Sequence, residues 1–277
     1  MCLLLTGLML CLLLRADMTM QAASAACRLF VTAVLPGLFP YMVLSLMLIS
    51  RVKRPSPTLL MLLGWGGGSP TGARLLRQCP ALHRREQVRL AVSCATMSPM
   101  FLLGTVGGWL RAPAAGTVAL SSVVLGGWLT GLLASAAEKG ARPISASPTP
   151  AAQPPLSFGA AVEQSARTML LVCGTMVMLR VFASLAAEAL PAALALPVTT
   201  LLEVTTGTAE IASLPLPLPL RAALIAAATA FGGMAILLQN RSVYPVGFLS
   251  LPKQTLWQAI HGVLSFLLAL GIMLLRG

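Results

Sequence analysis

The sequence predicts an all-α, polytopic membrane protein of about seven transmembrane helices, built as two inverted repeats that each carry a re-entrant helical hairpin. Three observations lead there: the composition, a pair of apolar segments broken by glycine, proline or acid, and the side on which the basic residues fall. Of the 277 residues, 57% are hydrophobic and 9% charged, and the mean hydropathy is +0.87. Soluble domains carry roughly one-quarter charged residues, so this chain cannot cover itself with a water-compatible surface. The formal net charge is +12, but the basic residues form short clusters between apolar runs, at Arg51, Lys53 and Arg54 and again at Arg84, Arg85 and Arg89. Clusters so placed orient helices across a bilayer, and nucleic acid is not an expected partner. The six cysteines lie mostly inside apolar runs, with no CxxC and only His83 and His261 to assist. Neither a metal site nor a disulfide framework is expected.

The elements follow in chain order. Residues 1–14 read as a retained first helix, because the basic n-region of a signal peptide is missing although Ala23-Ser24-Ala25 would pass for a cleavage site. With its connector this helix fills residues 1–27. The first repeat covers 28–137, with full spans at 28–50, 90–110 and 116–136. Between the first two of these, residues 59–76 (LLMLLGWGGGSPTGARLL) are interrupted by Gly66, Gly67, Gly68 and Pro70. The two apolar halves are too short to cross about 30 Å of hydrocarbon, so the segment predicts a re-entrant hairpin. Residues 138–160, rich in Pro, Ala and Ser, predict a flexible linker. The second repeat, 161–277, has spans at 165–187, 220–239 and 256–275 and a second interrupted segment at 191–214, which holds Pro197, Gly207, Glu203 and Glu210.

Charge tests this layout, since a hairpin that enters and leaves by one face changes the parity of every later span. With 28–50 running inward, the two strongest basic clusters both fall in the cytoplasm, and the flanks of 191–214, poor in Lys and Arg, fall outside. Three crossings in the first half invert the second. The halves also share short matches, Pro70-Thr71-Gly72 with Thr205-Thr206-Gly207, and Ser98-Pro99-Met100 with Gly232-Gly233-Met234.

Several blocks resemble a known family. Leu38-Phe39-Pro40-Tyr41, Gly68-Ser69-Pro70-Thr71-Gly72-Ala73-Arg74 and Cys94-Ala95-Thr96-Met97-Ser98-Pro99 in the first half are followed by Leu202-Glu203-Val204-Thr205-Thr206-Gly207 and Phe231-Gly232-Gly233-Met234 in the second. In this order they resemble the conserved blocks of YlbJ-like sporulation integral membrane proteins. Those proteins carry a nucleoside-recognition, or Gate, domain similar in architecture to concentrative nucleoside transporters. The likeness covers roughly residues 20 to 275. It implies a bacterial cell membrane protein, of the forespore membrane in a spore-former, that moves a small anionic solute of the dipicolinate class during sporulation. The chain departs from the family pattern at Ser69, Pro70, Arg74 and Ala95.

The candidate site follows from the chemistry of a charged solute in lipid. Helix amino termini at hairpin tips offer unpaired N–H groups and a positive dipole end. Ser69, Thr71 and Gly72 would supply the first tip, and Thr205, Thr206 and Gly207 the second. Arg74 would either add a charge for a carboxylate or extend to the interface beside Arg77. Thr96, Ser98, Gly232, Gly233 and Gln239 are the small or neutral polar groups near the helix breaks, the glycines serving packing as readily as solute approach. Asn240 reads either as a further polar group of this set or as an end cap, and Trp65, Trp109, Trp128 and Trp257 read as interfacial anchors. A carboxylate in a span costs about 2.5–3.5 kcal/mol and is seldom kept without a task. Glu203 and Glu210 are therefore expected to handle a coupling ion, Na+ or H+, with Glu203 favoured and Glu210 alternatively in water at the outer surface. No cofactor is expected. No nucleophile, base and orienting group stand at recognisable spacing, so an enzyme is not expected. The reading is a secondary transporter whose partners are the lipid bilayer and a small-molecule anion, with a homo-oligomer left open. The alternatives are a non-transporting assembly component of the forespore envelope, or a nucleoside carrier.

Overall fold

In the computed structural model, which describes residues 2–53, 55–78, 82–138 and 155–276, every regular element is helical. Among the described residues five helices are long and apolar enough to cross a membrane: Ala16–Ile49, Pro113–Ala137, Phe158–Ala189, Leu218–Val243 and Leu251–Arg276. The expected count of about seven is reached only by adding α1 (Cys2–Leu14) and the interrupted stretch 84–109. The 13 residues of α1 extend about 20 Å, short of the ~30 Å core, and none of them is buried.

The first long helix corrects a boundary. Residues 16–27 do not form a connector: α2 (Ala16–Leu29) continues through a π-helical stretch, Phe30–Val34, into α3 (Leu35–Ile49) as one helix of 34 residues. Its first turns are rich in Met, Gln and Ala, strong helix formers, and bury Ala22 and Ala26. This helix packs along α9 (Phe158–Ala189), where Leu38, Met42 and Leu46 meet Met169, Val172 and Met176. The α9 helix starts earlier than the sequence predicts because the Ser157 hydroxyl caps it, accepting from Ala160 N at 3.3 Å. Most of the expected linker, residues 139–154, lies outside the described residues.

Both interrupted segments consist of two short helices. In the first half these are α4 (Pro57–Gly67) and α5 (Thr71–Gln78), in the second α10 (Ala192–Leu202) and α11 (Val204–Ala212). At 8 to 11 residues each, none of the four spans the hydrocarbon alone. After each pair comes a helix broken near its middle. In the first half α6 (Arg84–Ser93) gives way to an irregular stretch at 94–98, and the chain resumes as a π-helical segment, Phe101–Val106, leading into α7 (Gly107–Trp109). In the second half α12 (Leu218–Phe231) and α13 (Gly233–Val243) meet at Gly232. Successive positive φ values of 78° at Gly232 and 63° at Gly233 explain the Gly-Gly pair, since side chains disfavour that region. Unbroken helices close each half, α8 (Pro113–Ala137) and α14 (Leu251–Arg276). The order of parts is thus the same in both halves.

Small residues set the spacing of this bundle. Helices α8, α12 and α14 pack together through Val118, Ala119, Val123, Ala222, Ala226 and Ala269, all fully or nearly buried. The first short pair is held against the break after α6. A Cβ on Gly72 would stand 2.5 Å from Cys94 Cβ, and one on Gly64 would stand 2.5 Å from Cys94 Sγ. Trp65, expected at the lipid interface, instead donates its indole N–H to Ser93 O at 2.9 Å, pinning α4 to the same place. A Gly72→Ala change should therefore lower stability by about 1–3 kcal/mol through overpacking. Gly104→Ala and Gly174→Ala, whose Cβ would meet nothing within 4 Å, should leave it nearly unchanged. Thermal unfolding of the three detergent-solubilised variants checks this ranking.

Candidate functional site

The second short pair breaks at Glu203, before the Thr205-Thr206-Gly207 tip that the sequence predicts. Glu203 has extended backbone, φ −131° and ψ 98°, and its carboxylate caps the helix that follows. Oε1 accepts from Thr205 N at 2.9 Å and Oε2 from Thr206 N at 2.7 Å. The residue is fully buried. Among the described residues no basic side chain forms a salt bridge with it. Its charge is met instead by two backbone N–H groups and the positive end of α11. Gly207 lies inside α11, where a Cβ would stand 2.5 Å from Thr200 Cα, so its role is the close approach of α10 and α11.

The tip of the first pair is fastened to both halves. Gly68, with φ +62°, turns the chain, and a Cβ there would lie 2.6 Å from Ser98 N. Ser69 N donates to Thr96 O at 2.6 Å, and Ser69 Oγ donates to Asn240 Oδ1 at 2.7 Å. The Asn240 side chain, read from sequence as a polar group near the break or an end cap, is therefore a buried tie between the halves. The second break makes a like contact: a Cβ on Gly233 would lie 2.9 Å from Leu201 O and 3.0 Å from Thr200 O. Each glycine thus lets a short-helix tip and the middle of the next broken helix touch backbone to backbone.

Where these tips converge is a cavity of about 30 Å³. Ser69, Ser98, Glu203, Thr205 and Gln239 line it, with an apolar wall that includes Val34, Leu38, Phe101, Val172 and Met176. The structure thus brings together five of the sequence-predicted site residues, from both halves. A water molecule needs about 10–15 Å³ by the same measure, so the cavity holds about two waters, or a small cation, but no organic solute in this conformation. Among the described residues, Glu203 is the only ionisable one that lines it.

The remaining predicted residues stand elsewhere. Thr71 is buried and donates its hydroxyl to Gly67 O at 3.3 Å, within its own hairpin. Gly72 faces Cys94. Arg74 is half-buried on α5, and its Nε has no hydrogen-bond partner among the described residues. Thr96 supplies a carbonyl and Thr206 an amide, but neither lines the cavity, and Gly232 and Gly233 form the break beside it. Glu210 does not join Glu203: its carboxylate accepts from Arg180 Nη1 at 3.2 Å, with side chains 41% and 22% exposed. Arg180 escaped the sequence reading, although an arginine within an apolar run of α9 is itself a sign of a partner.

No family model, curated protein or solved structure matches the chain.

Removing the Glu203 cap should be costly, because one buried and one part-buried N–H group lose a charged acceptor. Glu203→Ala should destabilise the protein by about 2–3 kcal/mol, and Ser69→Ala by about 1 kcal/mol. Thermal unfolding in lipid nanodiscs reads both, and an unchanged Glu203→Ala midpoint would contradict the capping geometry.

Proposed function

We propose that the chain is a cation-coupled secondary transporter, with the Glu203 cavity as its coupling-ion site. The observation that carries this reading is a fully buried carboxylate at a helix break, facing hydroxyl and amide groups from both halves across a cavity of ion size. A buried acid with no basic partner among the described residues suits a cation or a proton, whose binding would neutralise it. Hydroxyl and amide oxygens of Ser69, Ser98, Thr205 and Gln239 are the hard ligands a Na+ ion takes.

The two halves are read as inverted repeats, with α4–α5 and α10–α11 as re-entrant hairpins entering from opposite faces. The common order of parts supports this, as does the placing of both basic clusters on one side. Alternating access would then rock one half against the other about the cavity, opening it to a solute larger than it now admits. The solute proposed is a small anion of the dipicolinate class, moved during sporulation. This rests on the resemblance to YlbJ-like proteins; the cavity's own lining group is acidic, and the first amides of α11 are already taken by Glu203. A cation bound at Glu203 would remove the repulsion between that acid and an anionic solute, which gives coupling a physical cause.

A second reading draws on the same bonds. Glu203 is satisfied as a helix cap, and a non-transporting assembly component of the envelope would keep that cap without any solute.

Glu203→Gln separates the two readings. The amide retains an acceptor for α11 but loses the charge, so a transporter should lose solute accumulation at normal abundance, whereas a scaffold should retain full function. Purified protein should also unfold at higher temperature with dipicolinate and Na+ together than with either alone; stabilisation by uridine instead would favour a nucleoside carrier. Orientation is checked with single cysteines at Ser56 and Ser213 in a background free of other cysteines. They should be labelled from opposite faces, and labelling of both from one face would refute the inverted arrangement.

A further inference from the structure

Both π-helical stretches border one open groove. Leu29, Thr32 and Ala33 form one wall, from the end of α2 and the stretch Phe30–Val34. Gly104, Gly108 and Trp109 belong to the other, from the stretch Phe101–Val106 and α7. The groove measures about 450 Å³, against about 30 Å³ at Glu203, and the two share no lining residue. Val34 and Leu38 turn toward Glu203, whereas Thr32 and Ala33 face the groove.

The groove stays open because its walls are made of small residues. A Cβ on Gly104 or Gly108 would meet nothing within 4 Å, and both glycines are exposed, as is Thr32. Trp109 stands edge-on to Phe101, with ring centroids 5.7 Å apart, and contributes an aromatic surface. Inside a bilayer, a groove exposed at the flank of the bundle meets lipid chains.

Two arginines stand at one end of it. The walls run antiparallel: Val34 and Leu38 meet Met97, Ser98 and Phe101, a Cβ on Gly37 would stand 2.9 Å from Met100 Cβ, and Leu29 shares the groove with Gly108 and Trp109. Arg28, one residue before Leu29, and Arg111, two after Trp109, therefore fall at the same end. Thr32 donates its hydroxyl to Arg28 O at 2.8 Å, and residues four apart share a helix face, so Arg28 lies one turn from Thr32 on the groove side. Both arginines are exposed, and among the described residues neither forms a salt bridge. Arg15 and Arg180, by contrast, pair with Glu188 and Glu210.

Two further observations give these side chains a task. Arg111 has φ +51°, in the left-handed region where a helix end would suit glycine, so an arginine is kept there against the backbone's preference. Nor does topology account for the pair. The basic residues that orient these segments, Arg51 and Lys53 after α3 and Arg84, Arg85 and Arg89 in α6, stand at the opposite ends of the same two segments.

Charge selects the occupant. A second copy seated here about a two-fold axis would gather four arginines with no acid among the groove's lining residues. A zwitterionic lipid would fill the groove and leave the arginines without a net counter-charge. We propose that the groove holds an acyl chain of an anionic phospholipid whose phosphate lies between Arg28 and Arg111. Guanidinium groups bind phosphate through paired, charge-assisted hydrogen bonds, and basic pockets between membrane helices hold anionic headgroups. The site is separate from the Glu203 cavity and does not rest on the transport reading.

Trp109 supplies the readout. The full chain is reconstituted into phosphatidylcholine liposomes that contain a minor share of either phosphatidylglycerol or phosphatidylcholine brominated on its acyl chains. Quenching of Trp109 is the difference between the unaltered protein and its Trp109→Phe variant. Brominated phosphatidylglycerol should quench Trp109 several-fold more strongly than brominated phosphatidylcholine. That preference should fall several-fold in Arg28→Gln and Arg111→Gln, persist in Arg28→Lys, and vanish in Gly108→Leu, whose side chain enters the groove. Equal quenching by the two lipids in the unaltered protein would overturn the site, as would a preference that survives both glutamine variants. If neither lipid quenches Trp109, the groove is covered by protein and the lipid is overturned as its occupant.

Discussion

Lipid offers the backbone no hydrogen bonds, so every place where a helix stops inside the bilayer must be closed by the protein itself. The structure breaks at Gly68–Pro70, at residues 94–98, at Glu203 and at Gly232. The breaks are closed either by a neighbouring break or by the chain itself. Ser69 N is taken by Thr96 O, so the first two satisfy one another. The Glu203 carboxylate takes the amides of Thr205 and Thr206. Gly232 N returns to Ala228 O, ending α12 before the chain turns.

That closure has a steric condition. Two broken backbones can touch only if no side chain stands between them, which is why glycine occurs at Gly68 against Ser98 and at Gly233 against Thr200 and Leu201. The cavity is a by-product of the same contacts. The tips are held firmly at Ser69 and Glu203 but leave space between them, and the polar side chains facing that space, Ser69, Ser98, Glu203, Thr205 and Gln239, come from the breaks or stand near them, opposite an apolar wall. Cap and candidate site are therefore one structure. A carboxylate placed to satisfy α11 also faces outward into the cavity, and a change in its charge would be felt by both.

The Arg180–Glu210 pair and a buried polar stripe on α14 show two other ways in which the fold deals with polarity in an apolar chain. Arg180 and Glu210 neutralise one another in a partly exposed position. Gln254, Gln258 and His261 carry no such pairing, and their polarity is gathered on one seam between glycine-lined helices. Both arrangements join elements distant in sequence, α9 to α11 and α14 to α8.

Composition and periodic interruption determined much of this protein in one dimension. Long apolar runs dictate spanning helices, and Gly66-Gly67-Gly68-Ser69-Pro70 cannot continue one, so the positions of most helices and of the first break were legible. Glu203 stood out because a carboxylate in an apolar run is costly wherever it sits. What the sequence could not say is which break lies at Glu203 rather than Gly207, since a buried acid ends α10 only by finding the amides of Thr205 and Thr206. Nor could it separate Glu210 from Glu203, because the partner, Arg180, is thirty residues away. Residues 16–27 had too little hydrophobicity to read as part of a span, and helix propensity together with packing on α9 made them one. The meeting of Ser69 with Asn240, and of α14 with the glycines of α8, was decided only in the tertiary structure. Hydrogen bonds and close contacts depend on distance in space, and adjacency along the chain carries almost none of that information.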